Sequence, residues 1–290
     1  SINTYYKNLM NTYILNRLKR TYKLKGFKGV ASTLFNYLGR KIDPKHVGEL
    51  PFKYLFLKKR RYIKKFNEKY LDKIDDKNII PFGNYLLKSD FINSDSIIYT
   101  FGVGTSLHFE EKLSEKYKCR VWCYDPTDCA VEFMKDRDYD KKLINYFEYG
   151  IWINDEKVKF YTQDTNIKNS GGSITNLFES SDFKLLQCNK LSTFMKMNNH
   201  SKIDVLKMDI EGAAIDVLNN ILDEKIFPTQ IVVEFEFSES SEFDEDKFNI
   251  WKNKVANLIS RFRLNNYKCY NLPRYSHQPY STTEVLFVRK

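Results

Sequence analysis

Short apolar runs alternate with amphipathic stretches along the chain from about residue 95 onward. Seven of these runs have the length and the branched and aromatic content that strands favour: Ile97–Phe101, Arg120–Tyr124, Ile144–Tyr149, Ile203–Met208, Gln230–Phe237, Tyr267–Asn271 and Glu284–Val288. Helical periodicity fills intervals between them, in Leu107–Lys116, Ala213–Leu222 and Phe243–Leu264. Strands that alternate with helices predict βαβ units, and therefore a parallel sheet with both faces covered.

The last two predicted strands are the exception to this parallel pattern. The segment Pro273–Tyr280 that joins them is short, whereas a crossover between parallel neighbours takes roughly a dozen residues or more. We therefore expect an antiparallel pair. The predicted fold class is α/β: a seven-stranded, mostly parallel, Rossmann-like sheet with a reversed last strand, preceded by a basic helical N-terminal arm.

Residues 1–70 differ from the rest of the chain in charge. They hold 18 Lys or Arg against 3 Asp or Glu, while the whole chain of 290 residues has a net charge of +10, so the remainder is mildly acidic. Three interpretations stay open: a helix that packs its apolar stripe on the body, peripheral contact with an anionic membrane surface, or nucleic-acid binding, ranked last because no known module accompanies it. We predict a basic, mostly helical extension over 1–75 and the α/β domain over 76–290.

Composition excludes several classes of protein. The chain is 42% hydrophobic, which is enough for a core, and it has no apolar run of the ~20 residues that a membrane span needs. Five cysteines are an odd number in a long chain, so we expect buried free thiols, a reducing compartment and a cytoplasmic location. Because the sequence starts at Ser1, a removed targeting segment stays open.

A glycine turn follows the first predicted strand, which ends at Phe101. Gly102 and Gly104 let the backbone turn tightly and approach a ligand, with the amides of the next helix directed at it. The second strand ends at Asp125, 21 residues after Gly104, where an acidic residue accepts the ribose hydroxyls of a bound adenosine. The alternative for Asp125 is to form a turn before Pro126. Together the two features predict a nucleoside-binding site.

The same region narrows the choice of nucleoside. Dinucleotide sites have a third glycine three residues after the second, and here that position is Leu107. The phosphate-binding G-x-x-x-x-G-K-[ST] motif is missing from the sequence as well. S-adenosylmethionine has a ribose but no pyrophosphate, so it remains as the predicted cofactor.

Two acidic residues end the fourth predicted strand, which runs into Asp209-Ile210-Glu211-Gly212. With a spacing of two, both carboxylates project to one side of an extended strand end. They can orient an ammonium group, accept a proton from a hydroxyl or bind a metal. Capping of the following helix is the alternative interpretation. We assign no metal to the site.

Three segments resemble the FkbM-type S-adenosylmethionine-dependent methyltransferases, in the methyltransferase-like branch of that family: Ile98–Gly104, Tyr124–Thr127 and Lys207–Ala213. The resemblance covers residues 80–290, and Ser106 and Ala214 depart from it. It implies a seven-stranded methyltransferase fold and methyl transfer to a hydroxyl, often on a sugar or natural product.

The resemblance and the motifs together give the candidate site. The residues expected at the cofactor are Phe101, Gly102, Gly104, Asp125, Pro126, Glu148, Gly150 and Asp209. Asp209 and Glu211 are expected to position the donor and the acceptor hydroxyl, and His277 to act as a general base. The polar stretch Thr162–Asn176 is expected to close over substrate, and Glu234 to contact it. The expected partner is a small-molecule or glycan acceptor.

Two other functions stay open. One is a non-catalytic nucleoside-binding scaffold whose basic arm docks on an anionic surface. The other is a nucleotide-sugar glycosyltransferase, whose D-x-D motif occurs here only at residues 136–138, 138–140 and 244–246, none of which directly ends a convincing apolar strand.

Overall fold

The computed structural model describes residues 51–162, 172–176, 180–237, 244–272 and 282–290, with residues 51–60 and 162 contributing backbone only. Most of the predicted basic arm, most of the polar stretch after residue 162, and His277 lie outside the described residues.

Within these ranges the chain forms six α-helices and thirteen strands. The helices are α1 (Pro51–Tyr70), α2 (His108–Tyr117), α3 (Asp128–Asp136), α4 (Leu191–Met197), α5 (Ala214–Asp223) and α6 (Glu245–Leu264). The strands are β1 (Ile79–Phe82), β2 (Tyr85–Lys88), β3 (Ile97–Phe101), β4 (Arg120–Tyr124), β5 (Ile144–Phe147), β6 (Gly150–Ile151), β7 (Glu156–Thr162), β8 (Gly172–Ser173), β9 (Phe183–Asn189), β10 (Val205–Met208), β11 (Gln230–Glu236), β12 (Tyr267–Asn271) and β13 (Thr282–Arg289).

A seven-stranded sheet forms the centre of the molecule, in the order β12-β13-β11-β10-β3-β4-β5. Five neighbouring strands of this sheet, β11, β10, β3, β4 and β5, pair in parallel. Strand β13 runs antiparallel to both β11 and β12. The prediction of a mostly parallel sheet with a reversed last strand is confirmed. The sequence order reverses between β3 and β10, and this switch point is where ligands bind in open α/β sheets.

Two smaller sheets were not predicted. Strands β1 and β2 form an antiparallel hairpin, and β6, β9, β7 and β8 form a four-stranded sheet. The predicted strand Ile144–Tyr149 is wrong at its end, because β5 stops at Phe147. The chain then enters the four-stranded sheet, which we call the second sheet, at Gly150. Part of the polar stretch Thr162–Asn176 is also extended, because Gly172–Ser173 pairs with β7.

The central sheet is covered on both faces, as predicted. One face packs on α1, α4, α5 and α6 through a core that includes Phe66, Phe194, Val217 and Phe262. The other packs on the β1–β2 hairpin, α2 and α3 through residues that include Leu87, Leu113 and Ala130. All five cysteines are buried and free, which confirms the expectation of buried thiols.

The second half of α1 packs on the domain. Ile63 and Phe66 are buried in the core, and the Phe66 ring lies 5.2 Å from that of Trp251. The Thr283 hydroxyl donates a hydrogen bond of 2.9 Å to the Asn67 side-chain oxygen. This part of the basic segment therefore follows the packing interpretation. Among the described residues no helix has both the length and the apolar character to cross a bilayer.

A polar network beside β3 predicts a pH effect on stability. The Tyr99 hydroxyl lies 2.8 Å from His200 Nδ1, and the His200 ring lies edge-on to Trp122. Burial lowers the pKa of His200, so the unfolded chain binds a proton more readily than the folded one. We expect the free energy of unfolding to fall as the pH drops below the ordinary histidine range, until the lowered pKa is passed.

Urea unfolding of the wild type and of His200→Gln at about pH 7.5 and about pH 5.5 checks this expectation. The variant should lose less stability than the wild type between the two values. Equal losses would show that His200 does not contribute.

Candidate functional site

The sheet register aligns the ends of β3, β4 and β10 with Val233, which lies inside β11. Phe101 pairs with both Met208 and Tyr124, and Met208 pairs with Val233. The residues that follow these four form one row along the carboxyl edge: Gly102, Asp125, Asp209 and Glu234. Parallel strands thus bring together a turn and three acidic residues that are far apart in the sequence.

The glycine turn lies against the end of β10. Gly102 has a φ of +84° and Gly104 of +54°, both in the left-handed region. A Cβ atom on Gly102 would lie 1.8 Å from the Asp209 carbonyl oxygen, whereas one on Gly104 would meet nothing within 4 Å. The Asp209 N–H also donates to the Phe101 carbonyl at 3.0 Å. Position 102 therefore has no space for a side chain.

The Asp125 carboxylate is bonded directly to this turn. It is 6% exposed, and its Oδ2 accepts the N–H groups of Val103 and Gly104, both at 2.9 Å. Its Oδ1 accepts the Thr127 N–H at 2.9 Å and the Thr127 hydroxyl at 2.6 Å. Asp125 therefore holds the turn and the start of α3, and a ribose hydroxyl would have to share or displace one of these donors.

Lys207 is a buried lysine on β10 that is bonded to the glycine turn. It is 5% exposed, its Nζ donates to the Gly102 carbonyl at 2.5 Å, and it lies over the Tyr85 ring. Burial raises the pKa of Glu110, and the positive charge of Lys207 partly offsets this increase. Sequence reasoning did not assign a role to Lys207; a lysine inside an apolar strand was the available signal.

Three carboxylates form a cluster at the ends of β10 and β11, which we call the acidic cluster: Asp209, Glu234 and Glu236. One oxygen from each lies within 4.8 Å of the others. The Tyr85 hydroxyl donates to Asp209 Oδ2, and the Gly212 N–H to Glu236 Oε2, both at 2.8 Å. Burial raises the pKa of Tyr85, which keeps its hydroxyl a donor.

Electrostatics connect Glu211 to the acidic cluster. Burial raises the pKa of Glu236, and the negative charges of Glu211, Glu234 and Asp209 shift it in the same direction. Sequence reasoning missed Tyr85, which lies on the unpredicted hairpin. Sequence reasoning also assigned no role to Glu236, although a spacing of two on one strand places it on the same face as Glu234.

The expected extended conformation of Asp209 to Glu211 is wrong. β10 ends at Met208, Glu211 has a φ of +45°, and Gly212 one of +88°, so the chain turns at once into α5. The Glu211 carbonyl accepts a hydrogen bond of 2.7 Å from the Ser173 hydroxyl. Through this bond the second sheet reaches the candidate site.

The other predicted cofactor residues lie in different settings. The Phe101 ring is in the core, stacked on Tyr124 at 5.0 Å, so only its backbone borders the turn. A Cβ on Gly150 would lie 2.5 Å from Cys188 Sγ and 3.4 Å from Pro126 Cγ, which gives this glycine a packing role. Glu148 is exposed.

None of the D-x-D aspartates lies at the end of a strand of the central sheet. Asp136 is the last residue of α3. The Asp244 carboxylate caps α6, where it accepts the N–H groups of Asp246 and Lys247. This is the ordinary N-cap use of an aspartate.

The sheet order with its reversed β13, and the glycine turn tied to an acidic residue at the switch point, define a class of α/β proteins that bind a nucleoside cofactor. The Methyltransferase FkbM domain family matches residues 94–269. The chain belongs to this family, which confirms the expected resemblance and its methyl donor, S-adenosylmethionine.

Comparison with solved structures finds similar proteins of low sequence identity. The Methanococcus jannaschii fibrillarin pre-rRNA processing protein is 11% identical with a TM-score of 0.39, over 75% of this chain and 84% of that one. The precorrin-6y C5,15-methyltransferase of Geobacter metallireducens is 8% identical with a TM-score of 0.37, over 77% and 96%. Aeropyrum pernix fibrillarin, solved with bound S-adenosyl-L-methionine, is 9% identical with a TM-score of 0.38, over 68% of each chain. Comparison with curated protein sequences gives no significant match.

Proposed function

We propose that this methyltransferase transfers the methyl group of S-adenosylmethionine to a hydroxyl group of a small-molecule or glycan acceptor. The observation that carries the proposal is the pair of hydrogen bonds from Val103 and Gly104 to Asp125, both 2.9 Å. They join the two features that a nucleoside site needs, in the row of residues that also contains Asp209 and Glu234.

The proposed roles follow from the positions of these residues. The turn Gly102–Gly104 lies under the methionine part of the donor, Asp125 accepts the ribose hydroxyls, and Glu148 and Gly150 border the adenine. Asp209 and Glu211 orient the donor's ammonium group and the acceptor hydroxyl. Charge attraction in a partly buried site favours the cationic donor.

In this proposal, most of the rate enhancement comes from holding the donor and the acceptor in the reactive geometry. Methyl transfer from a sulfonium to an oxygen needs the two reacting atoms in line and in contact, and fixing that geometry replaces the entropy cost of a bimolecular encounter. His277 keeps its proposed role as a general base for the acceptor hydroxyl.

Calorimetric titration with S-adenosylhomocysteine is the first test, and we expect saturable heat from the folded protein. Radiolabelled donor is then supplied with glycans, phenols, amines and carboxylic acids, and we expect label on hydroxyl acceptors. Asp209→Asn should lower the transfer rate by about 100-fold or more, because it removes a charge beside both substrates.

Asp216→Asn is the matched control, since Asp216 is exposed on α5, and it should leave transfer unchanged. A folded protein that gives no heat with the ligand contradicts cofactor binding. Binding without transfer to any acceptor would favour the scaffold alternative, and label on amines alone would contradict hydroxyl specificity.

A further inference from the structure

We propose that the acidic cluster, Asp209, Glu234 and Glu236, binds a divalent cation of the magnesium or manganese class, with the hydroxyl of Thr282 as a fourth oxygen. The proposed methyl transfer needs no metal, and sequence reasoning assigned none, so this site goes beyond both.

The spacing of the three carboxylates fits one cation. One oxygen from each residue lies within 4.8 Å of the other two. Around an octahedral Mg²⁺ with bonds of about 2.1 Å, neighbouring oxygens are about 3 Å apart and opposite ones about 4.2 Å apart. Side-chain rotations of the size that ligand binding commonly causes would close this difference.

Two hydrogen bonds orient the carboxylates for this purpose. The Tyr85 hydroxyl occupies Asp209 Oδ2, and the Gly212 N–H occupies Glu236 Oε2, each at 2.8 Å. Each bond uses one oxygen of its carboxylate and fixes the direction of the group. Donors that hold the outer oxygen of a metal-binding carboxylate are the usual second layer of a metal site.

Thr282 provides an independent observation. It is 8% exposed, and its Oγ1 is buried and has no hydrogen-bond partner among the described residues. It pairs directly with Glu236 across β11 and β13, so the two side chains share one face of the sheet with Cβ atoms about 5 Å apart. A buried hydroxyl without a partner is costly, and a cation would bind its oxygen.

The donor set selects the type of cation. Three carboxylates and a hydroxyl are hard oxygen ligands, which suit magnesium, manganese and calcium, whereas zinc is usually held by cysteine and histidine. A divalent cation would also reduce the repulsion among the three carboxylates of the acidic cluster.

The position of the site suggests what the cation does. The Asp209 backbone approaches the glycine turn, and the strand order places Asp209 between that turn and Glu234 along the edge of the sheet. A cation held there can bind an acceptor hydroxyl and orient its oxygen toward the donor. This last step rests on the proposed function, whereas the binding itself does not.

Manganese binding, followed by electron paramagnetic resonance after removal of bound metals with a chelator, tests the proposal. The wild type is titrated with no donor or acceptor present, and we expect one site per chain that magnesium displaces. Glu234→Gln and Thr282→Val should each weaken manganese binding at least tenfold, because each removes one oxygen ligand.

Two control variants address non-specific effects. Thr283→Val changes the neighbouring threonine, which is on the opposite face and bonds to Asn67, and Glu132→Gln removes an exposed charge on α3. Neither should change the affinity for manganese.

The outcomes separate this proposal from the proposed function. No manganese bound by the folded wild type overturns it, and so does binding that survives both Glu234→Gln and Thr282→Val. Manganese binding without S-adenosylhomocysteine binding supports the cation site and contradicts the proposed function; the reverse result contradicts the cation site alone.

Discussion

Gly102→Ala is expected to destabilise the protein by about 3 kcal/mol or more and to remove S-adenosylhomocysteine binding. Two effects add at this position. A Cβ would lie 1.8 Å from the Asp209 carbonyl oxygen, so the ends of β3 and β10 would have to separate. The φ of +84° is also unfavourable for alanine. Urea unfolding measures the first loss, and calorimetric titration measures the second.

Gly104→Ala is the matched control in the same turn. Its φ is +54°, but a Cβ there would meet nothing within 4 Å, so only the backbone penalty of about 1–2 kcal/mol applies. The two variants therefore separate strain from steric overlap. If Gly102→Ala were as stable as Gly104→Ala, the close approach of Asp209 would not be a constraint on the fold.

The centre of the main sheet was predictable because strands such as β3 and β10 are buried on both faces. The strand bounds of β3, β4 and β12 match the prediction residue for residue, since a continuous apolar run has distinct ends when polar or glycine residues follow it. The row of Gly102, Asp125 and Asp209 followed from the same rule, because parallel strands align their carboxyl ends.

The second sheet was not predictable by that rule. On β9 the first three residues, Phe183, Lys184 and Leu185, are all exposed, so burial imposes no apolar run. β6 and β8 have two residues each, which is too short for any periodic pattern. Their pairing depends on contacts with β9 and β7 that local sequence does not encode.

The fine geometry of the site depended on tertiary contacts as well. Spacing alone placed Asp209 and Glu211 on one side of an extended chain, but β10 ends at Met208 and Glu211, three residues later, has a left-handed conformation in the turn before α5. Tyr85 is 124 positions from Asp209 in the sequence, and a contact over such a separation has no local sequence signal.

Asp125→Asn is expected to weaken S-adenosylhomocysteine binding by about 100-fold and to lower the free energy of unfolding by about 2 kcal/mol. The carboxylate accepts four hydrogen bonds, two from the glycine turn and two from Thr127. An asparagine has one accepting oxygen, so it can serve one of these pairs and must direct its NH₂ group at donors of the other pair. Calorimetric titration and urea unfolding measure the two losses.

A thermodynamic cycle distinguishes holding the turn from contacting the ribose. The affinities of the wild type and of Asp125→Asn are measured for S-adenosylhomocysteine and for its 2′-deoxy analogue. If Asp125 accepts the ribose hydroxyl, the two losses overlap and the analogue loses little further affinity in the variant. If Asp125 only holds the turn, the losses add. Asp128→Asn, which removes an exposed carboxylate paired with Lys184, is the control and should leave its affinities for both ligands at the wild-type values. Additive losses in Asp125→Asn would contradict the ribose contact while leaving the structural role of Asp125 intact.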